Sequence, residues 1–192
     1  MATPSSTTKP PRRTAILNTA YELFSRQGYH GTSIRQIARR NQVALSTIYY
    51  YFGSKENLFA SVYEHFHPAP LLLERLQGRT YQSREDLLRH AWQALMDFLE
   101  ASPEFIHIMF IEWVEFQGRH APYVWTRFLP QWRALLEPVF GQGLSDTDLL
   151  ALFGSLIGYA FGYVIARQNQ RYPASKERLL QLFLHGATSL GA

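Results

Sequence analysis

Apolar residues recur at helical spacing along most of the chain, and nowhere do they alternate as a half-buried strand would. From about Arg13 to Gln27, Ile16, Ala20, Leu23 and Phe24 share one face, and Gly28 follows as the residue that closes the helix. Ser33 with Gln36 three residues later fits a capping box, and Ile34, Ile37 and Ala38 then fall at i, i+3, i+4. Asn41-Gln42 breaks this pattern, Val43 supplies a hinge side chain, and a second helix of about two turns runs from Ala44 to Tyr50. Two short helices joined by so tight a turn predict a helix-turn-helix. A fourth helix starts near Ser54, carries Leu58, Phe59, Val62 and Phe66 on one stripe, and stops before Pro68 and Pro70, which mark a domain junction.

Further helices follow. Ser83-Arg84-Glu85-Asp86 opens one that runs through Leu99, and Ser102-Pro103-Glu104 caps the next. Another spans about Pro122 to Phe140, Asp146 opens a long one, and Ser175 opens a last one ending near His185-Gly186. The expected architecture is all-α, with a disordered arm over 1–11, a helix-turn-helix domain over 12–66 and a second helical domain over 67–192.

Composition narrows the chemistry. The chain is 46% apolar and 15% aromatic over 192 residues, enough for a sizeable core, and it has no cysteine, which removes disulfides, thiolate metal sites and a cysteine nucleophile. The first eleven residues are rich in Pro, Ser and Thr and contain no apolar stretch of the kind a secretory signal needs, so a cytoplasmic protein is expected. Charge is segregated. Residues 1–60 hold eight Lys or Arg against Glu22 and Glu56, a net of +6, whereas the remaining eleven basic and thirteen acidic groups give −2. The second helix of the pair (Leu45, Ser46, Thr47, Tyr49, Tyr50) carries hydroxyls and aromatic rings and no acid, which suits a helix entering a major groove. The basic end is the nucleic-acid end.

The run Thr32-Ser33-Ile34, Ile37-Ala38, Val43, Thr47-Ile48-Tyr49-Tyr50-Tyr51-Phe52, Ser54-Lys55-Glu56 and Leu58 resembles the N-terminal signature of the TetR (tetracycline repressor) family of bacterial transcriptional regulators. Three positions depart from the usual pattern: Asn41-Gln42 where Ala-Gly is common, Ala44 where Ser or Thr usually caps the helix, and Ser46 where Gly is frequent. A residue other than Gly must then take a positive φ in the turn, which Asn tolerates better than Gln. The missing cap at Ala44 should weaken that helix end by roughly 1 kcal/mol. The resemblance implies a dimeric repressor of a palindromic double-stranded operator, with a helical ligand-binding and dimerisation domain behind the DNA-binding one. It also implies that Tyr49 and Lys55 contact phosphates.

Of the remaining DNA candidates, Leu45, Thr47 and Tyr50 are placed to reach base edges, flanked by Ala44 and Ser46, while Tyr51 and Phe52 are expected in the core. Thr32 and Ser33 act as helix caps, as backbone contacts, or as both. Arg12 and Arg13 either touch DNA from the arm or are simply solvated.

A small-molecule effector is expected in the second domain. His107, Phe110, Glu112, Trp113 and Phe116 on one helix, with Tyr123, Trp125, Phe128, Tyr159 and Tyr163 on two others, could line a pocket for a flat, apolar ligand. Glu112 in that apolar setting needs a partner, supplied by a cationic ligand or internally by Arg127 or Arg167. Leu149 to Ala166 is free of charge, long enough to be weighed as a membrane span, and ridged by Gly154, Gly158 and Gly162. Burial in a two-fold bundle is the preferred reading, since the resembling family builds its homodimer interface from the penultimate helix, so no membrane association is expected.

His65 and His67 form an HxH without further ligands, and no phosphate-binding loop, nucleophile elbow or dinucleotide fingerprint occurs, so neither a metal, a cofactor nor a catalytic centre is expected. The alternative is a small-molecule-binding or membrane-associated helical module without DNA function.

Overall fold

The computed structural model describes residues 11–141, 143–168 and 175–187; the expected arm over 1–11 lies almost wholly outside them. Among the described residues there are ten helices and no strand. The chain divides into two compact units, Met1–Phe66 with His107–His120, and His67–Ile106 with Ala121–Ala192. The first boundary falls at the expected junction, but 107–120, assigned by sequence to the second domain, packs with the first.

In the first unit α1 (Arg12–Gly31) packs on α4 (Lys55–Phe66) and α2 (Ile34–Arg40), and α2 packs on α3 (Leu45–Phe52). Gly28 at φ 74° interrupts the helical backbone near the end of α1. Its carbonyl accepts the Thr32 hydroxyl at 2.9 Å, so the break leaves no orphaned acceptor there. Ile16, Leu17, Ala20 and Phe24 of α1, Ile37 of α2, Ile48 of α3 and Leu58, Phe59 and Val62 of α4 are essentially inaccessible, each contributing roughly 1–3 kcal/mol.

The second unit is organised on α6 (Arg84–Ala101), which packs against α5 (Ala69–Leu76), α8 (Ala121–Phe140), α9 (Asp146–Gln168) and α10 (Lys176–Ala187). α5 was not expected from the sequence. α4 stops at Phe66, before the two prolines as expected, but they also open a helix: Pro68 caps α5 and Pro70 lies in its first turn, where a missing N–H costs no hydrogen bond. Ser83 accepts the Asp86 N–H at 3.1 Å, and Ser145 and Asp148 bond reciprocally at 2.8 and 3.1 Å, setting the starts of α6 and α9. The unit boundary cuts α7 (Phe105–Val114) between Ile106 and His107.

α9 is long and apolar enough to cross a membrane, with mean hydropathy 1.9 over Asp146–Arg167, yet only 33% of its apolar window is buried within this chain. Leu149, Leu152, Leu156 and Ala160 are buried, whereas Leu150, Gly154, Gly158, Gly162 and Ile165 form an exposed face. A Cβ built on any of the three glycines would meet nothing within 4 Å.

Candidate nucleic-acid interface

α2 starts as its sequence dictates. The Ser33 hydroxyl accepts the Gln36 N–H at 3.2 Å while Gln36 Oε1 accepts the Ser33 N–H at 2.8 Å, a complete capping box. Thr32 is 1% exposed, so its side chain serves the fold and is not presented to a partner. Asn41 stays near the right-handed helical region at φ −87° and donates its side-chain amide to Ile37 O at 2.9 Å. The positive φ of the turn therefore falls on Gln42, at 53°.

Ala44 precedes α3 with an extended backbone and offers no side-chain cap, as its methyl group requires. Ile48 and Phe52 anchor α3 to the core. The opposite side presents Ser46, Tyr49 and Tyr50, with Tyr50 85% exposed, and Leu45 and Thr47 flank it half-buried. Tyr51, expected in the core with Phe52, is 38% exposed instead and meets the Tyr50 ring edge-on at 5.4 Å. On a helix of eight residues the inward face is only wide enough for two large side chains. Arg13, whose role the sequence left open, sets its guanidinium 5.3 Å from the Phe52 ring centroid. Arg40 pairs with Glu22 at 3.0 Å, while Arg35 and Arg39 are exposed.

Lys55 opens α4 with its ammonium 4.2 Å from the Tyr29 ring centroid, and burial holds its pKa below the ordinary value. Glu56 pairs with Arg119 at 2.6 Å, and Glu115 lies 2.8 Å from His30 Nε2. Phe116, 6% exposed, fills the space beside Phe59 (4.7 Å) and Tyr29 (4.8 Å). Glu112 is fully buried; one carboxylate oxygen accepts the His120 N–H at 2.6 Å and the other lies 2.7 Å from His120 Nδ1. Burial pushes the neighbouring Tyr63 phenol up, and the Glu112 carboxylate adds to the shift.

The aromatic set expected around an effector is divided between the units. His107, Phe110, Glu112, Trp113 and Phe116 belong to the first, where Glu112 and Phe116 are engaged as described and Phe110 and Trp113 are 41% and 45% exposed. In the second, Trp125 meets Phe153 at 5.1 Å and Tyr159 meets Phe183 at 6.4 Å; Phe128 and Tyr163 are half-buried and Tyr123 is exposed. Arg167 pairs with Glu100 at 3.6 Å. Tyr29, His30, Arg119 and His120 escaped the sequence reading. Glu112 was the one signal that pointed to them, because a buried carboxylate demands partners.

The described residues form ten helices and no strand, and the chain opens with a basic helix-turn-helix whose second helix turns hydroxyls and aromatic rings outward, a form suited to entering a major groove. A sequence profile described as bacterial regulatory proteins, tetR family, matches residues 16–66, the helix-turn-helix end of the chain. It is 37% identical over 109 residues to the HTH-type transcriptional repressor NicS of Pseudomonas putida, a stretch covering 57% of this chain and about half of that repressor (51%). The fatty acid degradation regulator FadR from Bacillus halodurans shares the fold with TM-score 0.71 at 21% identity, covering 93% of this chain and 97% of that one. A FadR from Bacillus subtilis, solved in complex with stearoyl-CoA, does so with TM-score 0.68 at 18% identity, covering 93% and 98%.

Proposed function

We propose that the chain is a cytoplasmic, dimeric transcriptional repressor that binds a palindromic operator through α3 and is released by a small hydrophobic or aromatic effector, without catalytic activity or membrane association. The carrying observation is the outward face of α3: Ser46, Tyr49 and Tyr50 without an acidic group, in a segment of net charge +6. In this reading Tyr49 and Lys55 hold phosphates, Tyr50 reads a base edge with Thr47 and Leu45 beside it, and Ala44 and Ser46 are small enough to let the helix approach. Thr32 and Ser33 serve by fixing the entry to α2.

The exposed glycine face of α9 supports a dimer, because three Cβ-less positions at four-residue spacing allow a second helix to approach closely. The named activity of NicS supports repression, and the stearoyl-CoA complex of the B. subtilis FadR supports an effector with an apolar body. Trp125, Phe128, Tyr159 and Tyr163 in the second unit supply aromatic surface for such a ligand.

Fluorescence anisotropy with duplexes from the region upstream of the chain's own gene tests this. Affinity should exceed that for mixed-sequence DNA by a factor of at least about 10³, and its logarithm should fall linearly with log salt. Equal affinity for every duplex would reject the operator.

A further inference from the structure

Lys55 sits in the first turn of α4, where the helix dipole opposes a cation. The adjacent carboxylate does not neutralise it, since Glu56 is engaged by Arg119 at 2.6 Å, and among the described residues no carboxylate stands within ion-pair distance of Lys55. Its ammonium lies instead over the face of Tyr29, 4.2 Å from the ring centroid. That ring is fixed on several sides: Phe24 stacks at 5.7 Å, while Phe59 at 5.8 Å and Phe116 at 4.8 Å meet it edge-on. Phe24, Phe59 and Phe116 are all buried, so the ring has little room to turn.

A π face attracts an ammonium electrostatically and engages at most the N–H directed at the ring, leaving the others free. The long lysine stem is thus ordered in the free protein while the donors turned away from the ring stay available to anionic oxygens, and the loss of rotamer freedom precedes binding instead of opposing it. Burial also lowers the pKa of Lys55, a penalty on the charged form that an incoming phosphate would offset.

We propose that Tyr29 is a positioning residue for DNA: its ring holds the Lys55 ammonium ready for a backbone phosphate, and Phe116, from the segment that returns to the first unit, braces the ring. This rests on Lys55 being a phosphate contact, and the experiment separates the two claims. Because a phosphate contact is independent of sequence, the probe is a mixed-sequence duplex of about thirty base pairs, titrated with the full chain from about 50 to 200 mM salt.

Tyr29→Phe should stay within about twofold of wild type, and Tyr29→Leu should bind about fivefold more weakly with an unchanged salt slope, since Lys55 still displaces its counterion. Lys55→Ala should lower the slope by about 1, and in that background Tyr29→Leu should have no further effect. An equal loss from Tyr29→Leu with and without Lys55 would overturn the proposal, because a merely structural ring acts regardless of the lysine. Should Tyr29→Leu fail to fold, phenylalanines of increasing fluorination at position 29 keep the ring's shape while weakening its quadrupole. Affinity should then fall stepwise with Lys55 present and stay flat in Lys55→Ala; a flat series in both overturns the proposal. If the wild type shows salt-dependent binding that Lys55→Ala leaves untouched, or binds no duplex, the phosphate contact itself fails and takes the positioning role with it.

Discussion

Gln42 is where the turn between α2 and α3 stores strain, because its φ of 53° is a conformation that side chains bearing a Cβ rarely adopt. The sequence pointed to Asn41-Gln42 as the place for a positive φ but favoured Asn; the amide of Asn41 is occupied with the Ile37 carbonyl, which keeps that residue near the helical region. Gln42→Gly should relieve about 1 kcal/mol of strain, partly offset by the extra freedom of glycine in the unfolded chain, and raise the urea midpoint slightly without changing DNA affinity. A lower midpoint would show that the Gln side chain contributes more than its backbone costs. His67 gives a pH signature. Burial lowers its imidazole to about 4 from an ordinary 6.5, so the unfolded chain binds the proton first on acidification. Stability from this group is fully present above about pH 6.5 and is lost as pH falls towards 4, by roughly 2–3 kcal/mol, and His67→Gln should flatten that part of the unfolding-versus-pH curve. On the DNA face, Lys55→Ala should weaken binding to all sequences and reduce the salt slope by about 1, whereas Tyr50→Ala should relax preference at one base position, as read from a panel of single-base operator variants. The capping box at Ser33 and the uncapped Ala44 were legible because each depends on residues no more than three apart. The pairing of Glu112 with His120 was not: it needs a chain reversal through Gln117 and Gly118, both at positive φ, and nothing in the local pattern announces a left-handed Gln.

Helix starts were the most readable elements, since Ser33, Ser83 and Ser175 each announce one and each accepts the expected backbone N–H. α5 escaped because prolines 68 and 70 say that a helix must stop before them and equally that one can start at them, and only packing of Leu72, Leu73 and Leu76 decides. Periodicity alone also left α9 ambiguous, as its apolar residues surround the helix. The structure separates its two sides: Leu149, Leu152, Leu156 and Ala160 face this chain's core, and the glycines do not. This gives the dimer a clean test. Within one chain a Cβ at position 158 meets nothing within 4 Å and the position is exposed, so Gly158→Leu should leave the protomer folded, even gaining up to about 1 kcal/mol of helix propensity. Any loss of association must then come from a second copy. Sedimentation velocity at micromolar concentration should show a wild-type dimer and a Gly158→Leu monomer, with operator affinity falling because half-sites are bound singly. A monomeric wild type, or a variant that remains dimeric, would remove α9 as the interface.

On the scale of the whole molecule, the division at Phe66 was legible from the prolines and the change in charge, but the return of 107–120 to the first unit was not, because that segment reads as an ordinary apolar helix and loop. Its contribution is measurable. Phe116→Ala should destabilise the protein by about 3 kcal/mol, since it removes the ring against which both Tyr29 and Phe59 pack. A fragment ending at Phe66 should bind a hydrophobic dye and melt below the full chain, because Phe59, 0% exposed in the intact protein, loses part of its cover. A full-length-like melt for that fragment would show that the returning segment is ornamental to stability. The same interleaving has a consequence during synthesis. A domain made of consecutive residues can close as soon as its last residue leaves the ribosome, whereas this one has its final piece fifty-four residues downstream of Phe66. At bacterial elongation rates of about 5–20 residues per second, the DNA-reading end waits roughly 3–11 s with its Phe59 side uncovered, and in that interval a nascent chain offers chaperones an apolar patch that the finished protein does not have.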